Sequence, residues 1–99
     1  MNYYFLEPAK EELEEAIAYY EQQREGLGEQ FAEEVSKAIE RILNHPQAWS
    51  QLSANIRRCR TKRFPYGIVY GVRGEDIIIV AVMHLHRKPR YWEDRLGNE

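Results

Sequence analysis

Five of the eight residues from 56 to 63 are positively charged, a density that favours contact with an anionic partner. If this segment is a β-strand, its side chains alternate between two faces, with Arg58, Arg60 and Lys62 on one and Cys59 and Thr61 on the other. Cations on alternate residues stand about 7 Å apart, which suits successive phosphate groups. The alternative is a charged face that only prevents edge-to-edge aggregation. We predict that the three cations contact a target or a partner.

A second group of reactive side chains lies between residues 84 and 92. RNA can be cut without a metal when its 2′-hydroxyl attacks the adjacent phosphate, which requires a proton acceptor, cations and a donor for the leaving oxygen. His84 could act as the base or the acid, Arg87 could stabilise phosphate charge, and Tyr91 could relay a proton or stack on a base. These three are the catalytic candidates if the protein is an enzyme, a question the sequence leaves open.

The same segment contains further candidate contacts. We assign His86, Arg90 and Trp92 to target or partner binding, together with the basic segment. His84 and His86 are two residues apart, but no third ligand is evident, so we predict no metal site and no cofactor. Cys59 is the only cysteine and is expected to be a small buried hydrophobe.

The surrounding chain predicts the elements that position these groups. Residues 2–6 suit a strand. Pro8 begins a helix that Gly26 ends, and a second helix with the same apolar period runs to Asn44. Residues 46–55 form a loop in which Trp49 packs at the core edge, and β-type patterns follow at 56–63, 66–72 and 77–83. We predict one α+β domain over residues 1–99, ordered β-α-α-β-β-β, with a helical hairpin on a small, mainly antiparallel sheet.

Residues 77–82 are apolar at every position, which predicts a central strand buried on both faces. A single helical hairpin covers only one face of a sheet. The other face is then covered by the C-terminal tail over residues 88–96, by a second copy of the chain, or by another protein. An uncovered apolar face would be an association site.

The distribution of charge along the chain limits the kinds of partner that the protein can bind. Residues 1–55 carry 4 basic and 11 acidic side chains, a net charge of −7, whereas residues 56–99 carry 10 basic and 5 acidic, a net charge of +5. Only the second half therefore suits an anionic or acidic partner. We find neither a membrane-spanning apolar run nor a secretory signal, so we expect no membrane contact and a cytoplasmic location.

The chain resembles the RelE/ParE superfamily of toxins from type II toxin–antitoxin systems, often described as plasmid stabilisation proteins. The similarity extends over nearly the full length and is most specific in the second half. The matching residues are Pro8-Ala9, Glu12-Leu13, Tyr19-Tyr20, Gly26-Leu27-Gly28 with Phe31, Ile42 with Pro46, Arg57-Arg58, Lys62 to Tyr66, Ile68, Tyr70, Ala81-Val82, His84, Arg87, Pro89 and Tyr91-Trp92.

This resemblance implies a growth-inhibiting toxin neutralised by a cognate antitoxin protein. The ParE-like branch poisons DNA gyrase, whereas the RelE-like branch cuts messenger RNA on the ribosome without a metal. The acidic helical hairpin and the ending from His84 to Trp92 resemble ParE-type sequences more closely, so ParE-like is the preferred interpretation. The alternatives are a RelE-like endoribonuclease using His84, Arg87 and Tyr91, a nucleic-acid or ribosome binder without catalysis, and an inactive antitoxin-binding remnant.

Overall fold

The computed structural model describes residues 1–96, in which two helices pack on a five-stranded sheet. In chain order the elements are β1 (Asn2–Phe5), α1 (Glu7–Gln23), α2 (Leu27–Asn44), β2 (Ser50–Gln51), β3 (Ile56–Arg60), β4 (Tyr66–Arg73), β5 (Asp76–His84) and a 3₁₀ turn (Glu93–Arg95). This architecture confirms the predicted α+β class and the predicted order of elements. No helix in this part of the chain is long and apolar enough to cross a membrane.

The sheet has the order β1-β5-β4-β3-β2. β1 pairs in parallel with β5, and every other neighbouring pair is antiparallel. β5 lies between two strands, and its residues 77–83 are buried, which confirms the prediction of a central strand from its uninterrupted apolar sequence. β4 and β5 are joined through a turn in which Gly74 has a φ of 61°, a conformation that favours glycine.

The helices pack on each other through a close approach near the turn that joins them. A Cβ on Gly28 would lie 2.5 Å from the carbonyl oxygen of Ile17, so only glycine fits between the helices there. The carboxylate of Glu21 accepts hydrogen bonds from the backbone N–H groups of Gly26 and Gly28, both at 3.0 Å. It thereby satisfies donors at the start of α2 that have no partner within the helix.

Each face of the sheet carries its own apolar core. The helices cover the face that holds Ile68, Tyr70, Ile77, Ile79 and Val82. The second core consists of Ile56, Val69, Ile78, Val80, Ala81, Met83 and Trp92, with Leu6, Leu52, Tyr91 and Leu96 packed against it. Tail residues therefore cover the second face, so the sheet is no argument for an obligate partner, and of the three predicted covers the tail is the observed one.

Two local predictions differ from the structure. The segment predicted as a loop contains β2, which pairs with Arg57 and Arg58 of β3. β3 ends at Arg60, so Lys62 lies in the following turn and does not continue the strand alternation. The tail is a series of turns with a single 3₁₀ turn.

Candidate functional site

The predicted basic segment borders an open groove of about 640 Å³ at the edge of the sheet, called the β3 groove below. Arg58 and Arg60 reach it from β3, where strand alternation places them on the same face. Lys62 reaches the same groove from the turn after β3. The structure thus brings the three predicted cations together, and adds the other lining residues, namely Arg41, Trp49, Ser50 and Thr61.

The position of Arg58 depends on a glycine in the neighbouring strand. A Cβ on Gly67 of β4 would lie 2.7 Å from Cδ of Arg58. The aliphatic part of the Arg58 side chain therefore packs over Gly67, where a larger residue would block it. The Arg58 Nε is buried and has no hydrogen-bond partner. Burial lowers the pKa of the Arg58 guanidinium, and the nearby charge of Arg60 lowers it further. Arg58 is a cation without a compensating partner.

A second basic groove adjoins the first, and Arg58 lines both. Arg87 and Arg90 from the tail segment border this second groove, whose remaining lining residues are Leu52, Met83, Leu85, Pro89 and Trp92. The two clusters that were separate in the sequence therefore form one basic surface with Arg58 at its centre.

The cations of this surface differ in whether a carboxylate neutralises them. Arg90 pairs with Glu93 at 2.8 Å, and Arg87 lies 3.6 Å from Glu12. Within residues 1–96, no carboxylate forms an ion pair with Arg58, Arg60 or Lys62. The excess positive charge is thus concentrated at the β3 groove.

The three candidate catalytic residues lie around one partly buried carboxylate that the sequence did not identify. Glu12 of α1 accepts hydrogen bonds from Tyr91 Oη at 2.6 Å and from both terminal nitrogens of Arg95, at 2.8 and 2.9 Å. It also accepts one from the Val82 N–H at 3.0 Å. The Arg87 guanidinium stacks 4.0 Å from the Tyr91 ring centroid. These contacts fasten the tail to α1 and β5.

This environment determines the chemistry open to Tyr91. Burial, together with its hydrogen bond to the Glu12 carboxylate, raises the pKa of the Tyr91 hydroxyl. The proton is therefore held on Tyr91 and directed at Glu12. A hydroxyl in this state is a poor proton relay near neutral pH.

His84 lies at the end of β5, in a small pocket about 230 Å³ in volume that it shares with Arg87. Its Nδ1 accepts a hydrogen bond from the backbone N–H of His86 at 3.1 Å, and its ring contacts Tyr66. Glu12 and Glu15 line the same pocket with a single cation, Arg87, which already pairs with Glu12, so the charged side chains of this pocket do not favour a phosphate. Among residues 1–96, no cluster of three or more His, Cys, Asp or Glu side chains could hold a metal ion.

The remaining predicted contacts fall into different environments. His86 is exposed beside His84, with ring centroids 5.3 Å apart. Arg90 has a φ of 67° and donates to the carbonyl oxygen of Leu52 at 2.9 Å. Trp92 was predicted to bind a partner, but it is only 1% exposed and belongs to the second core. Its role in the folded chain is packing, because it offers almost no surface to a partner even where it borders the second groove.

Two further side chains of these sites were missed, Arg41 and Arg95. Arg41, on the last turn of α2, donates to the carbonyl oxygen of Arg60 at 2.9 Å. Arg95 lies in the tail, where no periodic pattern pointed to α1. For Glu12 a signal existed, because it lies three residues after Ala9 and four before Ala16, on the apolar stripe of α1.

Comparison with known proteins identifies the family. The ParE toxin family of the type II toxin–antitoxin system parDE matches residues 3–89, so the chain belongs to this family of toxins. The fold is similar to a solved chain described as the chromosomal ParDE TA system from P. aeruginosa, with a TM-score of 0.64 and 16% identity over 87% of this chain and 97% of that one. No curated protein matches the sequence.

Proposed function

We propose that this toxin arrests bacterial growth by binding DNA gyrase in the cytoplasm, and that a cognate antitoxin protein neutralises it. Membership of the ParE toxin family supports this proposal. The similar solved chain belongs to a ParDE system, which supports an antitoxin as partner.

One observation favours inhibition by binding over RNA cleavage. The hydroxyl of Tyr91 is committed to Glu12, and Arg87 stacks on the Tyr91 ring and pairs with the same carboxylate. General acid–base catalysis needs a group that can exchange a proton at the reacting atoms. Of the three candidate catalytic residues, only His84 keeps a ring nitrogen available for this, and two carboxylates lie in its pocket. The structure therefore favours a toxin that acts through an interface.

Purified gyrase tests the proposal directly. We expect the chain to reduce supercoiling of relaxed plasmid, and Tyr91→Phe to do so equally well, because phenylalanine keeps the packed ring. A translation reaction with a defined messenger, analysed by primer extension, should show no cuts. Ribosome-dependent cuts that disappear in Tyr91→Phe and His84→Ala would establish the RelE-like alternative instead.

A separate experiment tests neutralisation. A short reading frame beside the gene is the candidate antitoxin, and its product should co-purify with this chain and restore supercoiling. If the chain binds that product but neither inhibits gyrase nor cuts messenger, it is an inactive antitoxin-binding remnant.

A further inference from the structure

We propose that the β3 groove binds the phosphate backbone of a nucleic-acid single strand through Arg58, Arg60 and Lys62. These three cations line one groove, and no carboxylate within residues 1–96 pairs with any of them. The inference does not depend on gyrase as the target, because binding is a property of the isolated chain.

The arrangement of the cations in the β3 groove is destabilising in the unbound protein. Arg58 and Arg60 extend from the same face of one strand about 7 Å apart, and the charge of Arg60 disfavours the charge of Arg58. The Arg58 Nε is removed from water without gaining a partner, and a buried donor left unsatisfied is destabilising. An anion bound in the groove would offset the repulsion between the two guanidinium groups.

Backbone groups at the β3 groove are already hydrogen-bonded within the protein. A peptide that adds to a sheet edge needs free backbone N–H and C=O groups. Here the carbonyl oxygen of Arg60 already accepts from Arg41 at 2.9 Å, and that of Trp49 accepts from Arg57 at 2.8 Å. The backbone N–H of Thr61 donates to Tyr66 at 2.9 Å. These backbone groups are thus occupied, and four of the seven residues lining the groove are cationic, which suits phosphates better than an added peptide strand.

The charge distribution and the size of the groove favour a short polyanion. Residues 1–55 carry a net charge of −7, so a polyanion is attracted only at the basic surface and repelled by the helical hairpin. Three cations and a groove of about 640 Å³ match a short stretch of one strand.

Fluorescence anisotropy with labelled oligothymidine and oligouridine of about 12 nucleotides tests the proposal. For single strands, log K falls by about 0.7 per phosphate contact for each tenfold rise in salt. Three contacts predict a loss of affinity of about 20-fold between 50 and 200 mM salt. The double variant Arg60→Gln with Lys62→Gln keeps one contact. Its affinity should be weaker at 50 mM salt and should fall only about threefold between 50 and 200 mM salt.

The matched control is Lys10→Gln with Arg24→Gln, which removes the same charge from exposed residues that line neither basic groove. Arg60 and Lys62 are also exposed and their side chains form no hydrogen bond or ion pair within residues 1–96, so their substitution should leave the melting temperature unchanged. Arg58→Lys keeps the charge and should retain binding.

Three results would overturn the proposal. One is no binding to either oligonucleotide at 50 mM salt. Another is an equal loss of affinity in the control pair, which would show attraction without a site. The third is displacement of the oligonucleotide by oligoglutamate of the same length at lower concentration, which would assign the groove to an acidic peptide.

Discussion

Replacing Glu12 tests whether one carboxylate holds the C-terminal tail. Glu12→Gln keeps the size of the side chain but removes the charge that accepts hydrogen bonds from Tyr91, Arg95 and Val82. The side chains of Glu12 and Arg95 are only 14% and 17% exposed, so solvent screens the pair weakly. A hydrogen bond to a charged group contributes about 1.5–3 kcal/mol, and losing one partner of a buried ion pair costs about 3–5 kcal/mol.

Since the amide oxygen can still accept one hydrogen bond, we expect Glu12→Gln to lower the free energy of unfolding by about 2–3 kcal/mol. In a domain of this size, that corresponds to a decrease in Tm of at least about 8 °C. Thermal unfolding followed by far-UV circular dichroism measures the change. Glu14→Gln, on the exposed side of the same helix, is the control and should change stability by less than about 0.5 kcal/mol.

A second readout separates tail release from general instability. In a Trp49→Phe background, Trp92 is the sole tryptophan, and its burial against the sheet gives blue-shifted emission. Glu12→Gln should shift this emission to the red below the melting transition, because the tail detaches before the sheet unfolds. A variant that melts within about 2 °C of the wild type, with unchanged emission, would refute the role assigned to Glu12.

Three further predictions concern other elements. Gly28→Ala should destabilise the chain by about 1–3 kcal/mol in urea unfolding, because its Cβ would lie 2.5 Å from the Ile17 carbonyl oxygen; a neutral substitution would mean that the helices separate freely. Burial raises the pKa of Tyr70 to about 12. The folded state thus holds this proton more tightly than the unfolded state, and the stability this provides is complete below about pH 10 and lost towards pH 12; Tyr70→Phe should flatten that alkaline loss. Burial also raises the pKa of the Cys59 thiol, so a thiol reagent at pH 8 should react at the rate of global unfolding, and rapid labelling of the folded chain would contradict its burial.

The strands and helices could be predicted because apolar spacing reports burial directly. The uninterrupted apolar run at residues 77–82 identified the central strand, and the helical period identified both faces of the hairpin. The parallel pairing of β1 with β5 was not predicted, because the alternation of a strand does not specify its neighbour. The basic groove was partly predicted, since Arg58 and Arg60 share a face by alternation, whereas Arg41 arrives from a distant helix.

The contacts that surround Glu12 could not be predicted from the sequence. α1 contains several glutamates, and only the position of this one on the apolar stripe distinguishes it from its solvated neighbours. Its partner Arg95 lies 83 residues away, in a tail without periodic pattern. Tyr91 was assigned to catalysis from its residue type, but its environment depends on this long-range contact.

The pairing of β1 with β5, and of Glu12 with Arg95, joins residues far apart in the sequence. Residues 2–12 are therefore synthesised well before their partners, since Phe5 pairs with Ile79 and Glu12 pairs with Arg87 and Arg95. Domains fold as units during synthesis, and non-local contacts form late. A nascent chain stalled before β5 therefore has no strand to join β1 to the rest of the sheet, and no Val82 N–H, Tyr91 or Arg95 to hold Glu12.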